Sequence, residues 1–150
     1  MTILHKLEAG LTTRSSEEMR AAGAALAGAL PANATLALHG DLGAGKTTFV
    51  QGLARGLGIA GHVTSPTYTL YSIHTGAGRM LAHLDAYRIA GPAEAEALLI
   101  EEFLREPWCL AVEWPEHVAD WLPADAWHLD LALAADQSHT IRLRPLAPPT

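Results

Sequence analysis

The stretch LALHGDLGAGKTTFVQGL, Leu36 to Leu53, decides the fold. An apolar run breaks into glycines and closes on a lysine and two threonines. Gly40-Asp41-Leu42-Gly43-Ala44-Gly45-Lys46-Thr47 satisfies G-x-x-x-x-G-K-[ST] at every fixed position. Glycines permit the backbone turns that aim several N–H groups at one phosphate, and a helix starting near Lys46 adds the positive end of its dipole. Lys46 supplies a point charge for the outer phosphates, and the Thr47 hydroxyl is placed to ligate Mg²⁺. Thr35 to His39 is short and apolar, which predicts a strand. Thr47 to Leu57 carries Phe49, Val50, Leu53 and Leu57 at near-helical spacing, with Gly58 as its stop. Strand, glycine loop and helix is the context that separates this motif from a chance match in a glycine-rich loop. Gly40, Asp41, Leu42, Gly43, Ala44, Gly45, Lys46, Thr47 and Thr48 are therefore expected to hold a nucleotide's phosphates.

Outward from the loop, Ser15 or Ser16 followed by Glu17 and Glu18 predicts a capped helix running to about Leu30, before Pro31. Downstream, Thr67 to His74 and Met80 to Leu84 predict an antiparallel hairpin around Thr75-Gly76-Ala77-Gly78. Gly91-Pro92 opens a predicted helix over Glu94 to Arg105, whose mixed apolar face is Leu98, Leu99, Glu102 and Phe103. Trp108 to Val112 is continuously apolar and stops at Glu113, the pattern of a buried parallel strand. Pro115 starts a short helix to about Leu122, and Trp127 to Leu133 and Thr140 to Leu143 predict two terminal strands. The expected class is α/β: a three-layer sandwich like the P-loop nucleotide hydrolases, with a mixed sheet of parallel core, antiparallel hairpin and terminal strands.

At 150 residues the chain suits one domain, 1–150, with about 145–150 as a frayed tail. Its composition, 49% hydrophobic and 17% charged, is that of a globular protein, and no apolar run approaches the ~20 residues that span a membrane. No secretory signal is visible in MTILHKLEAG, and the single cysteine, Cys109, fits a reducing compartment, so a cytoplasmic location is expected. A net charge of −6 argues against direct binding to a nucleic acid backbone, which needs clustered Lys and Arg.

Hydrolysis or transfer also needs an acid at a strand end and a group to position the attacking oxygen. Asp85 ends MLAHLD and Glu113 ends CLAVE. A carboxylate after a strand is usually a surface residue, but both follow apolar strands, and ligands of open α/β sheets gather at such ends. Glu113 is expected to hold magnesium, directly or through water, and Asp85 to position water or reach the metal through it. Thr64-Ser65-Pro66-Thr67-Tyr68 reads either as a switch segment or as a proline-stiffened turn. Trp114 packs either on the nucleotide region or on the core. The eight histidines show no ligand spacing, and Cys109, inside an apolar strand, is a small buried hydrophobe. The chain has a single asparagine, Asn33, ahead of the loop, so the Asn-Lys-x-Asp guanine motif is missing. A small-molecule kinase is the alternative, but after Glu113 the only arginines are Arg142 and Arg144, set in a strand rather than in a lid. The pattern leans to an ATPase.

Four ordered blocks, GDLGAGKTTF (Gly40 to Phe49), SPTYTL (Ser65 to Leu70), HLDAYRI (His83 to Ile89) and VEWPE (Val112 to Glu116), make the chain resemble the TsaE (YjeE) family of small P-loop ATPases. These act in bacterial threonylcarbamoyladenosine modification of tRNA. The resemblance covers most of the chain. It implies ATP and Mg²⁺ as cofactors, slow hydrolysis, and association with the TsaB and TsaD proteins. TsaD carries out the transfer to the adenosine beside the anticodon, while the TsaE protein supports turnover and meets tRNA only indirectly. It further implies magnesium contacts at Thr47 and Glu113 and functional importance at Asp85 and Trp114, which gives Lys46, Asp85 and Glu113 as the catalytic set. Two positions depart from the family pattern. Met19 follows Ser16-Glu17-Glu18 where a threonine is common, and Gln137-Ser138-His139 replaces an expected Gly-Arg turn. The adenine contacts are left open by these departures.

Overall fold

The computed structural model describes residues 2–60, 63, 70–76 and 78–146. Its strands are β1 (Leu11–Thr13), β2 (Ala34–His39), β3 (Tyr71–Thr75), β4 (Met80–Asp85), β5 (Trp108–Glu113), β6 (Trp127–Leu133) and β7 (His139–Leu143). Its α-helices are α1 (Ile3–Ala9), α2 (Ser16–Ala27), α3 (Lys46–Gly56) and α4 (Pro92–Ala97). The strands form one sheet in the order β1-β7-β6-β2-β5-β4-β3. β6, β2, β5 and β4 run parallel, whereas β3 and the β7-β1 pair close the two edges antiparallel. The mixed α/β sheet expected from the sequence is therefore present. β6 adds a parallel pairing with β2 to its antiparallel pairing with β7.

Strand alternation sends successive side chains to opposite faces, and each face buries its own core. On one face Leu36, Leu38, Leu81, Cys109, Ala111, Leu129 and Ile141 pack against Leu7, Met19, Leu26, Phe49, Val50 and Leu53 of α1, α2 and α3. Leu110, Val112, Ala82 and Leu84 face the other way, against Ala95 of α4, Ile100 and Val118. Removing Phe49 or Leu53 fully from water contributes about 1.5–3 kcal/mol each, and both are completely buried. Helix α2 starts as expected, with the Ser15 hydroxyl accepting from the Glu18 N–H at 3.1 Å, and ends at Ala27 rather than near Leu30.

Four elements differ from expectation. α1 and β1 were not anticipated, because β1 is only three residues long and gains its hydrogen bonds from β7 at the far end of the chain. The helix expected over Glu94 to Arg105 breaks at Leu99, which adopts a left-handed φ of 54°, and resumes as a 3-10 turn, Ile100–Phe103. The break buries Ile100 completely and leaves Leu99 and Phe103 half exposed, so core packing overrides the helical period. The segment after Pro115 is likewise a 3-10 helix, Pro115–Trp121, with Val118 off helical geometry. The segment Thr64 to Tyr68, Ala77 of the hairpin turn and the last four residues of the tail lie outside the described residues.

The connections place the site. From β2 the chain passes to β4, returns to β5 beside β2, then crosses to β6 on β2's other side. The carboxyl end of β2 is thus where the winding changes direction, the crevice in which doubly wound sheets hold ligands. No described helix is long and apolar enough to cross a membrane.

Candidate functional site

The glycine loop leaves the carboxyl end of β2. A Cβ at Gly40 would stand 2.5 Å from the Leu131 carbonyl oxygen of β6, so only glycine lets the loop turn off the sheet there. Gly45, with φ 98°, sits at the amino end of α3 in a conformation that side chains resist. Lys46 is the first helical residue and is 5% exposed. Its ammonium donates to the Gly40 carbonyl at 2.5 Å, across the loop, and lies 3.6 Å from the centre of the Trp114 ring. Burial holds the Lys46 pKa below its ordinary 10.5, and Glu113, Glu116, Asp85 and Asp41 push the other way.

β4 and β5 run in register so that Asp85 lies opposite Glu113 at their carboxyl ends. Glu113 is 4% exposed. The Thr47 hydroxyl donates to Glu113 Oε2 at 3.3 Å, and His83 Nε2 lies 2.5 Å from the same oxygen. Asp85 Oδ1 accepts from the Tyr87 backbone N–H at 3.0 Å. Trp114 follows β5 directly in a left-handed conformation, φ 57°, which swings its ring over Lys46 and against Tyr87, 5.0 Å between centroids. The same ring also packs against the core on the α4 side.

These groups bound a cavity of about 440 Å³ whose wall includes Leu42 to Thr48, Asp85, Glu113 and Trp114. Gly40 and Asp41 face an adjoining groove of about 570 Å³ on the β6 side, with Leu42, Ala44 and Trp114 shared between the two. The residues singled out in the sequence are thus brought together around one loop. A dedicated metal cage of three or more His, Cys, Asp or Glu side chains is absent among the described residues. The Thr47 hydroxyl and the Glu113 carboxylate, hard oxygen donors 3.3 Å apart, fit Mg²⁺, which binds few protein oxygens and keeps its waters and phosphates.

Sequence reasoning missed His83, Tyr87 and Ser16, the last two on the cavity wall. His83 lies two residues before Asp85 and so shares its face of β4, a signal present in the alternation. The two departures from the family pattern meet at the loop. A Cβ on Gly45 would come within 2.8 Å of Met19 Cε and 3.4 Å of His139, and His139 Nε2 lies 3.1 Å from the Gly43 carbonyl oxygen. Cys109 is fully buried and its thiol is pushed up to about 12 by desolvation, which removes it from the chemistry.

Residues 13–141 match the family model described as threonylcarbamoyl adenosine biosynthesis protein TsaE. Curated proteins named tRNA threonylcarbamoyladenosine biosynthesis protein TsaE are similar to the chain. That of Haemophilus influenzae is 44% identical over 57% of this chain and 54% of its own length. Streptomyces coelicolor's is 42% identical over 74% of this chain and 76% of its own length. Treponema pallidum's is 35% identical over 86% and 95%. The chain thus spans about half the length of the Haemophilus relative, 54%, and 63% of the Synechocystis one. The crystal structure of Bacillus subtilis YdiB superposes with a TM-score of 0.76 at 32% identity, covering 92% of this chain and 85% of that one. With the match running from β1 into β7, the chain belongs to the TsaE family.

Proposed function

We propose that the chain binds ATP with Mg²⁺ beside the Gly40 to Thr48 loop and hydrolyses it slowly, as an accessory ATPase of tRNA threonylcarbamoyladenosine biosynthesis in the cytoplasm. It acts on the TsaB and TsaD proteins and transfers nothing itself. The observation that carries this reading is the pairing of Thr47 with Glu113 at 3.3 Å, beneath a glycine loop at the point where the sheet's winding reverses. Relatives named for that pathway support the biological setting.

The roles follow from position. The loop N–H groups and the start of α3 receive phosphate oxygens. Lys46 exchanges the Gly40 carbonyl and the Trp114 face for the outer phosphates, a change from a neutral acceptor to a charged one. Thr47 and Glu113 hold Mg²⁺, which supplies charge neutralisation on the phosphate oxygens. Asp85, opposite Glu113, orients the attacking water. A net charge of −6 supports a reading in which the partners, not this chain, contact tRNA.

Two measurements test the reading. ATP with pooled metabolites should yield phosphate and no labelled acceptor, whereas a phosphorylated metabolite would put a kinase in its place. Lys46→Ala should weaken ATP binding by about 10- to 100-fold, the worth of one or two charge-assisted contacts, and should lose ATP-dependent co-purification with TsaB and TsaD. Unchanged ATP affinity in Lys46→Ala would remove the loop from the mechanism.

A further inference from the structure

We infer that His83 is a positioning residue for Glu113: a buried imidazole that pins one carboxylate oxygen, so that the other is presented to the metal beside the nucleotide. This rests on the magnesium reading above and names a residue that the reading does not use.

β4 is otherwise an apolar interior strand, with Leu81, Ala82 and Leu84 completely buried. A histidine of 0% exposure in that run is a costly choice unless its nitrogens are matched. Alternation puts it on the α3 side of the sheet with Asp85, and its register partner on β5 is Ala111. A single methyl group there leaves the ring room to lean along β5 to Glu113, two residues on. Nε2 reaches Glu113 Oε2 at 2.5 Å. The tautomer with its proton on Nε2 donates to that carboxylate oxygen. Thr47 donates to the same Oε2, so both described hydrogen bonds of the carboxylate end on one oxygen. Oε1 is left as the oxygen for the metal or its water. Nδ1 of His83 is buried without a partner among the described residues. The ring's one described hydrogen bond is therefore the one through Nε2, and its second nitrogen is buried at a cost that an apolar side chain would not carry. A side chain kept against that pressure, and bonded to a ligand residue, has the character of the outer groups that orient metal ligands.

The test uses the whole chain with ADP and Mn²⁺ as the metal probe, reading free Mn²⁺ by electron paramagnetic resonance. His83→Gln keeps an amide donor near the Nε2 position, His83→Asn places it near Nδ1, and His83→Leu removes it. Leu and Asn should weaken Mn²⁺ binding to the ADP complex by about tenfold or more, Gln should restore it to within a few-fold, and metal-free ADP affinity should be unchanged in all three. Wild-type affinity in a folded Asn or Leu variant, or equal losses in Gln and Asn, would overturn the positioning role and leave the magnesium site standing. A wild-type ADP complex that takes up no Mn²⁺ would overturn the magnesium reading and this inference with it.

Discussion

Lys46 and Trp114 are the two side chains whose contact should report the state of the loop. The ammonium sits 3.6 Å from the indole centroid, a cation–π arrangement worth roughly 0.5–2 kcal/mol as burial increases. Phosphate oxygens compete for that same ammonium, and drawing it away alters the field at the ring. ATP should therefore change the intrinsic tryptophan fluorescence, and the change should vanish in Trp114→Phe. The other three tryptophans, Trp108, Trp121 and Trp127, lie outside the cavity wall and give a constant background. A signal that survives the substitution would mean that the pair does not part on binding. At this scale the sequence was informative where a residue's place around the candidate site follows from a local pattern. Gly40 to Thr48 are legible from spacing, and Asp85 and Glu113 from standing at the ends of apolar runs. His83 was not, because a histidine within an apolar strand reads as a core residue until the neighbouring strand's register puts Glu113 beside it. Met19 and His139 were visible only as departures, since their meeting at Gly45 depends on packing between distant parts of the chain.

Between elements, the α2-α3 contact holds the loop's helix in place, and it is built on small residues. A Cβ at Gly52 would stand 2.0 Å from the Arg20 carbonyl oxygen, and one at Gly23 would stand 2.3 Å from that of Phe49. The helices thus touch backbone to backbone, with Arg20 Nε donating to Gln51 Oε1 at 3.1 Å alongside. Alanine is the better helix former by about 1 kcal/mol, but a clash with backbone forces the helices apart, which typically costs about 1–3 kcal/mol or more. Gly52→Ala should therefore lower the unfolding free energy in a urea melt by roughly 2 kcal/mol, and should weaken ATP binding because α3 carries Lys46 and Thr47. A more stable variant would show that the helices separate freely. The elements themselves were legible where burial and period agree, as in β2, α3 and β5. They were not legible where a distant partner decides. β1 exists because β7 pairs with it, and the break at Leu99 exists because Ile100 must reach the core.

For the molecule as a whole, ionisable groups from β2, the segment after β5, β6 and the chain beyond β7 gather next to the groove on the β6 side, whose wall includes His39 and Glu116. His39, ending β2, and His128 in β6 approach to 2.8 Å between Nε2 and Nδ1. His39 Nδ1 lies 3.7 Å from Glu116, while Arg144, beyond β7, grips Asp130 of β6 with two bonds of 2.8 Å. Burial, then the charge of Arg144, holds both histidines below their ordinary 6.5, against weaker pulls from Asp130 and, at His39, Glu116. His74 is lowered likewise, by burial and then by His83. A histidine whose folded pKa is depressed binds its proton more readily when unfolded. The folded state then keeps its full advantage above about pH 6.5 and loses it progressively as pH falls through that value toward the folded pKa. Asp130, held below its ordinary 3.8 by its hydrogen bonds to Arg144, adds a separate loss only near and below pH 4. The melting temperature should thus fall between pH 7.5 and pH 5, before the carboxylates titrate. The double variant His39→Gln, His128→Gln should flatten part of that slope and leave the remainder, to which His74 contributes. An undiminished slope in the double variant would place the acid sensitivity elsewhere, and a flat wild-type profile over that range would show that burial does not depress these histidines.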